Sequence, residues 1–274
     1  MGLGINSNIP SMNNIRNLNR NDTSTNKIFE QLSSGKKINS AKDNAAGLAI
    51  VERFASQIMG GNQAYKNLND GISLAQTAEG FTSQISDLSQ RARELAVQSG
   101  NGSLNDSDRA ALQTEYSSIQ SEVQRITDSA EFNGQALLNN NSTLSFQVDA
   151  NTGDQIDVQT HDLQGQLTAD NFFTSDISTA AGAQSALSSL DTSLASVNTI
   201  RADYGATISR FETAGDNLLN KQINLEAAKS RILDTDYAQA TSERTKNMIL
   251  NQAGIAVQGF SNMSQSQVMN LLGS

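Results

Sequence analysis

Cysteine is absent from the 274 residues, which excludes disulfides, thiolate nucleophiles and cysteine-ligated zinc. Tryptophan is absent too. Aromatic residues make up 5% of the chain and hydrophobic residues 37%, poor material for a thick globular core and better suited to long helices with narrow apolar stripes. Proline occurs once, as Pro10, so nearly the whole chain is free to be helical. The single histidine, His161, cannot make a His-Glu-x-x-His zinc site and reads as an incidental, exposed residue. No apolar run reaches the ~18 residues that a membrane-crossing helix needs. The N-terminal Met-Gly-Leu-Gly-Ile-Asn-Ser-Asn has neither the basic nor the apolar region of a Sec-type signal peptide. Basic residues are in the minority, 19 Lys and Arg against 28 Asp and Glu, and the net charge of −9 argues against nucleic-acid and anionic-membrane partners. The phosphate-loop pattern fails because Glu30 stands where its first glycine belongs before Gly35-Lys36. Asp234 and Asp236 have no base or metal ligand beside them and read as helix caps. Composition and motifs therefore offer no catalytic residue, no metal site and no cofactor site.

What is present is helical periodicity. Ile5, Ile9, Met12, Ile15 and Leu18 recur at helical spacing, followed by Ile28, Phe29 and Leu32, but asparagine is dense in this segment. Residues 1–31 are therefore expected to be helical only when packed against something. Ser33-Ser34-Gly35 is a turn, and Asn39 or Ser40 is placed to cap a new helix with Asp43 near its positive end. From Ala45 to Ser99 the pattern predicts one long helix. Leu74, Ala78, Phe81, Ile85, Leu88, Ala92 and Leu95 form a heptad seam in it, and Gly60-Gly61 marks a kink or a close approach. A turn over 99–105 precedes a second helix ending near Ser129. The period then changes to two: Leu144, Phe146 and Val148, then Ile156 and Val158, predict a β-hairpin at about 140–162, with a loop after it to about Ser178.

Residues 179–233 return to heptads, with Leu190, Val197, Tyr204, Phe211 and Leu218 in one register. A helix of that length, roughly 80 Å at 1.5 Å per residue, must lie along a partner of similar length, and 45–99 is that partner. After Asp234-Thr-Asp236, the segment 237–272 carries Ile249, Ala253, Ala256, Phe260 and Met263 at 4-3-4-3 spacing, with Leu271 and Leu272 at its end. The two terminal segments can pair with each other. The expected fold is mainly α: long antiparallel helices in a coiled-coil-like bundle with a small β-hairpin region.

Residues 32–50, Leu-Ser-Ser-Gly-Lys-Lys-Ile-Asn-Ser-Ala-Lys-Asp-Asn-Ala-Ala-Gly-Leu-Ala-Ile, closely resemble the signature of bacterial flagellins, except that Lys36 stands where leucine is usual. Asn69–Gly80, Gln90–Ser99, Glu131–Leu138, Phe146–Gly153 and Ala228–Ala238 resemble further blocks of that family. The resemblance implies a short flagellin without large outer domains. Residues 1–44 with 234–274 would form a terminal helical domain and an inner coiled-coil layer, and 45–233 a long-helix domain. It implies a non-enzymatic structural subunit that polymerises into the extracellular filament of the flagellum for swimming. It also implies export by the flagellar type III route. The partners so implied are further copies of the chain, the filament cap and hook-junction proteins, the export apparatus and a secretion chaperone. Polymerisation seams are expected at Ile5, Ile9, Met12, Ile15, Leu32, Ile249, Ala253, Ala256, Phe260, Met263 and Leu271. Arg91, Leu95 and Glu115 stand where flagellins like those of enteric bacteria contact a host Toll-like receptor, with Ser118 in place of a usual glutamine. The alternatives are a hook–filament junction protein sharing the terminal helices and, from another class, a coiled-coil binding module.

Overall fold

The computed structural model describes residues 7–272, with side chains through Gln267. Its elements in chain order are α1 (Ile9–Ser34), α2 (Ala41–Ser99), α3 (Asp106–Ser129), β1 (Glu131–Phe132), β2 (Gln135–Ala136), β3 (Thr143–Gln147), β4 (Gln155–Gln159), α4 (Leu163–Ala169), α5 (Ala180–Leu233) and α6 (Tyr237–Leu272). The chain falls into two compact units, a terminal one (Met1–Ser56 with Asn224–Ser274) and a central one (Gln57–Ile223).

In the central unit α2 and α5 run antiparallel. Gly71 sits under Phe211, Arg201 bonds Glu79 at 2.9 Å, and Arg93 bonds Asp191 at 2.7 Å, so residue numbers rise on one helix as they fall on the other. The expected seams are the core. Leu74, Ala78, Ile85, Ala92 and Leu95 on α2 and Leu190, Val197, Tyr204, Phe211 and Leu218 on α5 are all buried. Gly60 and Gly61 do not kink α2; they admit Ala150 and Gln222 respectively. Helix α3 starts on a reciprocal cap, in which Asn105 and Asp108 each accept from the other's backbone N–H at 2.9 and 3.2 Å.

Strands β3 and β4 pair antiparallel in the expected hairpin, with Leu144 opposite Val158 and Phe146 opposite Ile156. Phe146 meets Phe211 edge-on, and Lys221 pairs with Asp149, which docks the hairpin on α5. Two elements lie beyond the expected set. The turn Asn133-Gly134, both residues at positive φ, closes the short β1–β2 ribbon. The stretch expected as loop contains α4, capped by Asp162 and anchored by buried Leu163 and Leu167. His161, at the β4–α4 junction, is largely covered rather than exposed. Its ring lies edge-on to Tyr204, and burial lowers its pKa against the opposing pull of Asp203.

In the terminal unit, Asn8 caps α1 through the Ser11 N–H and Gly35, left-handed at φ 71, ends it. Asp43 accepts from the N–H groups of Asn39 and Ser40 at 3.2 Å each. The chain then breaks at Asn44 (φ −164, ψ 95), whose side chain caps the long helix through the Gly47 N–H. Lys37 N–H donates to Leu233, and Thr235 N–H to Gly35, tying this turn to the α5–α6 junction. A small cluster of Ile38, Val51 and Leu233 lies beneath it.

Candidate functional site

Helices α1 and α6 pair antiparallel, and the seam between them is mostly polar, with Leu18, Ile28, Leu32 and Ala240 as its apolar members. On α1 the covered or half-covered positions are Ser11, Asn14, Leu18, Asn21, Thr25, Ile28 and Leu32, a 3-4 repeat, with Gln31 beside Leu32 at the end of the helix. On α6 they are Ala240, Arg244, Asn247, Asn251, Gly254, Gln258, Ser261 and Gln265, again 3-4. Side-chain amides join the two. Asn14 donates to the Gly254 carbonyl at 2.8 Å and to Gln258 at 3.0 Å, Asn21 to the Asn247 carbonyl at 2.6 Å, and Asn251 to Asp22 at 2.5 Å. Asn8 and Ser261 exchange bonds at the open end. Gly254 is needed because Leu18 packs where its Cβ would be, and Arg244 lies 5.1 Å above the Phe29 ring.

The consequence is that the apolar stripes point away from the pair. Ile9 is 59% exposed, Met12 62%, Ile249 60%, Phe260 73% and Met263 60%, with Ile15, Ala253 and Ala256 also exposed. Leu32 differs: it lies within the polar seam, half covered, and its carbonyl accepts from the Tyr237 hydroxyl at 3.2 Å. Ile5 and the side chain of Leu271 lie outside the described residues. Most of the large apolar side chains exposed among the described residues belong to the terminal unit, although it is the smaller of the two. Scattered single exposures are ordinary, but two helices exposing their apolar stripes together mark an interaction surface. Sequence reasoning found the apolar stripes and missed the amide ladder. The signal for it was that Asn14 and Asn21 stand one heptad apart and Asn247 and Asn251 one turn apart.

A second surface lies on the central unit. Arg91 forks onto Glu115 across α2 and α3 at 2.8 and 3.2 Å and reaches Glu94 at 3.0 Å, all three side chains about half exposed or more. Leu95, one turn from Arg91, is only 1% exposed and belongs to the core beneath this pair.

Residues 5–143 match the bacterial flagellin N-terminal helical region, and residues 187–272 match the bacterial flagellin C-terminal helical region. The chain is 43% identical over 271 residues to a flagellin of Halalkalibacterium halodurans, covering 98% of this chain and 99% of that one. A flagellin of Bacillus subtilis is 38% identical over 301 residues, covering 98% and 99%. The crystal structure of Bacillus cereus flagellin superposes with a TM-score of 0.52 at 26% identity, covering 60% of this chain and 94% of that one. The chain belongs to the bacterial flagellin family. It is a structural subunit of the flagellar filament, an extracellular polymer, and the junction-protein alternative is not better supported. No helix of this flagellin, among the described residues, is long and apolar enough to cross a membrane. The two family matches leave residues 144–186 between them, which hold most of the β3–β4 hairpin and all of α4.

Proposed function

We propose that the terminal unit is the assembly element of this flagellin, with residues 1–44 and 234–274 as the filament-core domain and 45–233 as the long-helix domain. The observation that carries this reading is the division of labour on α1 and α6, amides facing inward and apolar stripes facing outward. A subunit that buries its polar stripe internally and leaves Ile9, Met12, Ile15, Ile249, Ala253, Ala256, Phe260 and Met263 outside is completed by copies of itself. Full burial of each large apolar side chain contributes roughly 1.5–3 kcal/mol, so several per neighbour offset the cost of ordering the terminal helices. Such contacts do not close on themselves and therefore build an open helical polymer. The subunit reaches the growing end by the flagellar type III route, with a chaperone holding it before export and the cap and hook-junction proteins bounding the filament. On the free monomer, the Arg91–Glu115 pair is the part of the receptor-contact set presented to solvent, with Leu95 shaping the face from below.

Seeded growth tests the reading. Sheared filament fragments are added to purified monomer, with light scattering and electron microscopy as readouts. Long filaments are expected. A stable monomer that never extends the seeds would overturn it in favour of the junction protein.

A further inference from the structure

The structure describes four methionine side chains, and all four are exposed: Met12 62%, Met59 67%, Met248 46% and Met263 60%. Methionine ordinarily fills cores, so uniform exposure is unusual. Three of the four sit on α1 and α6, and Met59 sits on α2 in the central unit. Met12 lines a shallow open groove with Ile15, Arg16 and Asn19. We propose that Met12, Met248 and Met263 are oxidation-sensitive positions on the free subunit, attacked by peroxide-class oxidants, and that modification at them blocks assembly. The inference rests on the assembly reading above.

The chemistry is a two-electron oxidation of each thioether. The sulfur lone pair attacks one peroxide oxygen, the O–O bond breaks, sulfoxide forms and the other oxygen leaves as water. An apolar, flexible side chain becomes a polar one carrying a strong acceptor. On a face that a neighbouring subunit must cover, that oxygen would be buried without a donor, a penalty unrelated to the fold of the monomer. The two units separate the consequences: sulfoxides on α1 and α6 act on association, whereas a sulfoxide at Met59 lies outside the assembly element. Incorporation into a filament covers the terminal stripes and slows their oxidation.

The test uses full-length monomer treated with hydrogen peroxide, quenched, mapped by peptide mass and then offered to seeds. Oxidation at residues 12, 248 and 263 is expected to slow growth roughly tenfold or more, equivalent to about 1.4 kcal/mol of lost contact energy, with unchanged far-ultraviolet circular dichroism. Methionine sulfoxide reductase with a thiol reductant should restore both mass and growth. The variant M12L/M248L/M263L keeps the apolar volume; it should grow untreated and keep growing after peroxide, whereas M59L should remain as sensitive as the parent. Equal loss of growth in the triple variant, rescue by M59L, or normal growth of a chain oxidised at all three positions would each overturn the proposal. Equally fast oxidation of these residues in filaments and monomer would overturn the protection step. Failure of the untreated parent to extend seeds would be a failure of the assembly reading itself, separable because it precedes any oxidant.

Discussion

Asp43 illustrates how much of the terminal turn hangs on one carboxylate. Its pKa is lowered from 3.8 to about 2, first by the side-chain bond from Lys27 and then by the backbone N–H groups of Asn39 and Ser40, against an opposing desolvation effect. A carboxylate depressed in the folded state contributes stability that is present above its unfolded pKa and lost as the pH falls through the folded one. The window here lies between 3.8 and about 2. Carbon-13 titration of the Asp43 carboxyl should give a midpoint near the lower figure, and Lys27→Met should move it upward. A midpoint unchanged by Lys27→Met would show that the backbone donors alone hold the charge. The position of Asp43 near a helix start was legible in the sequence, because polar residues with a carboxylate three or four positions on are a capping signal. Its partner Lys27, sixteen residues earlier on another helix, was not, because that pairing exists only once the turn at Gly35 brings α1 back.

At the scale of elements, the long helices were readable because their seams are mainly apolar, as Leu74 to Leu95 and Leu190 to Leu218 bear out, with Arg201 and Gly215 the departures on α5. The terminal helices misdirect the same rule. A reading by hydrophobicity selects Ile249, Ala253, Ala256, Phe260 and Met263, yet the intramolecular seam runs through Asn247, Asn251, Gly254 and Gln258 on another face. Amide ladders fix register at little gain in stability. Helix α4 was hidden by its brevity and by Gly165, and the β1–β2 ribbon by strands of two residues each. The α2–α5 seam also has a point with no slack. A Cβ on Gly71 would lie 2.6 Å from Phe211 Cζ, and Phe211 is fully buried with Phe146 edge-on at 5.7 Å. Gly71→Ala gains ~1 kcal/mol in helix propensity but overpacks by ~1–3 kcal/mol where no ring can swing aside. A net loss in thermal midpoint is expected, by ~2–4 °C per kcal/mol for a unit of this size. Adding Phe211→Leu to make room should recover part of the loss. A Gly71→Ala protein melting at or above the parent would mean that α2 and α5 shift apart freely.

For the whole molecule, charge and apolar surface are segregated between the units. Between Gln57 and Ile223 there are twenty Asp and Glu against eight Lys and Arg, a charge of −12, while the rest of the chain is +3, so the acidity of the chain lies in the central unit. The exposed apolar stripes belong mainly to the terminal unit. Long-helix units brought side by side therefore repel and depend on salt for screening, while terminal units attract. The central unit holds a core of its own, running from Ala64 through the hairpin to Leu218, and among the described residues the terminal unit's core cluster is the small one at Ile38, Val51 and Leu233. Deleting residues 1–31 or 240–274 removes one partner of the amide ladder and one apolar stripe but touches none of the central core. Each truncated protein should keep a cooperative, largely helical thermal transition and should neither extend seeds nor slow growth of the parent when mixed with it in excess. Filament growth by either truncated protein would place the polymerising contacts on the long helices. Loss of the cooperative transition would mean that the central unit needs the terminal pair to fold.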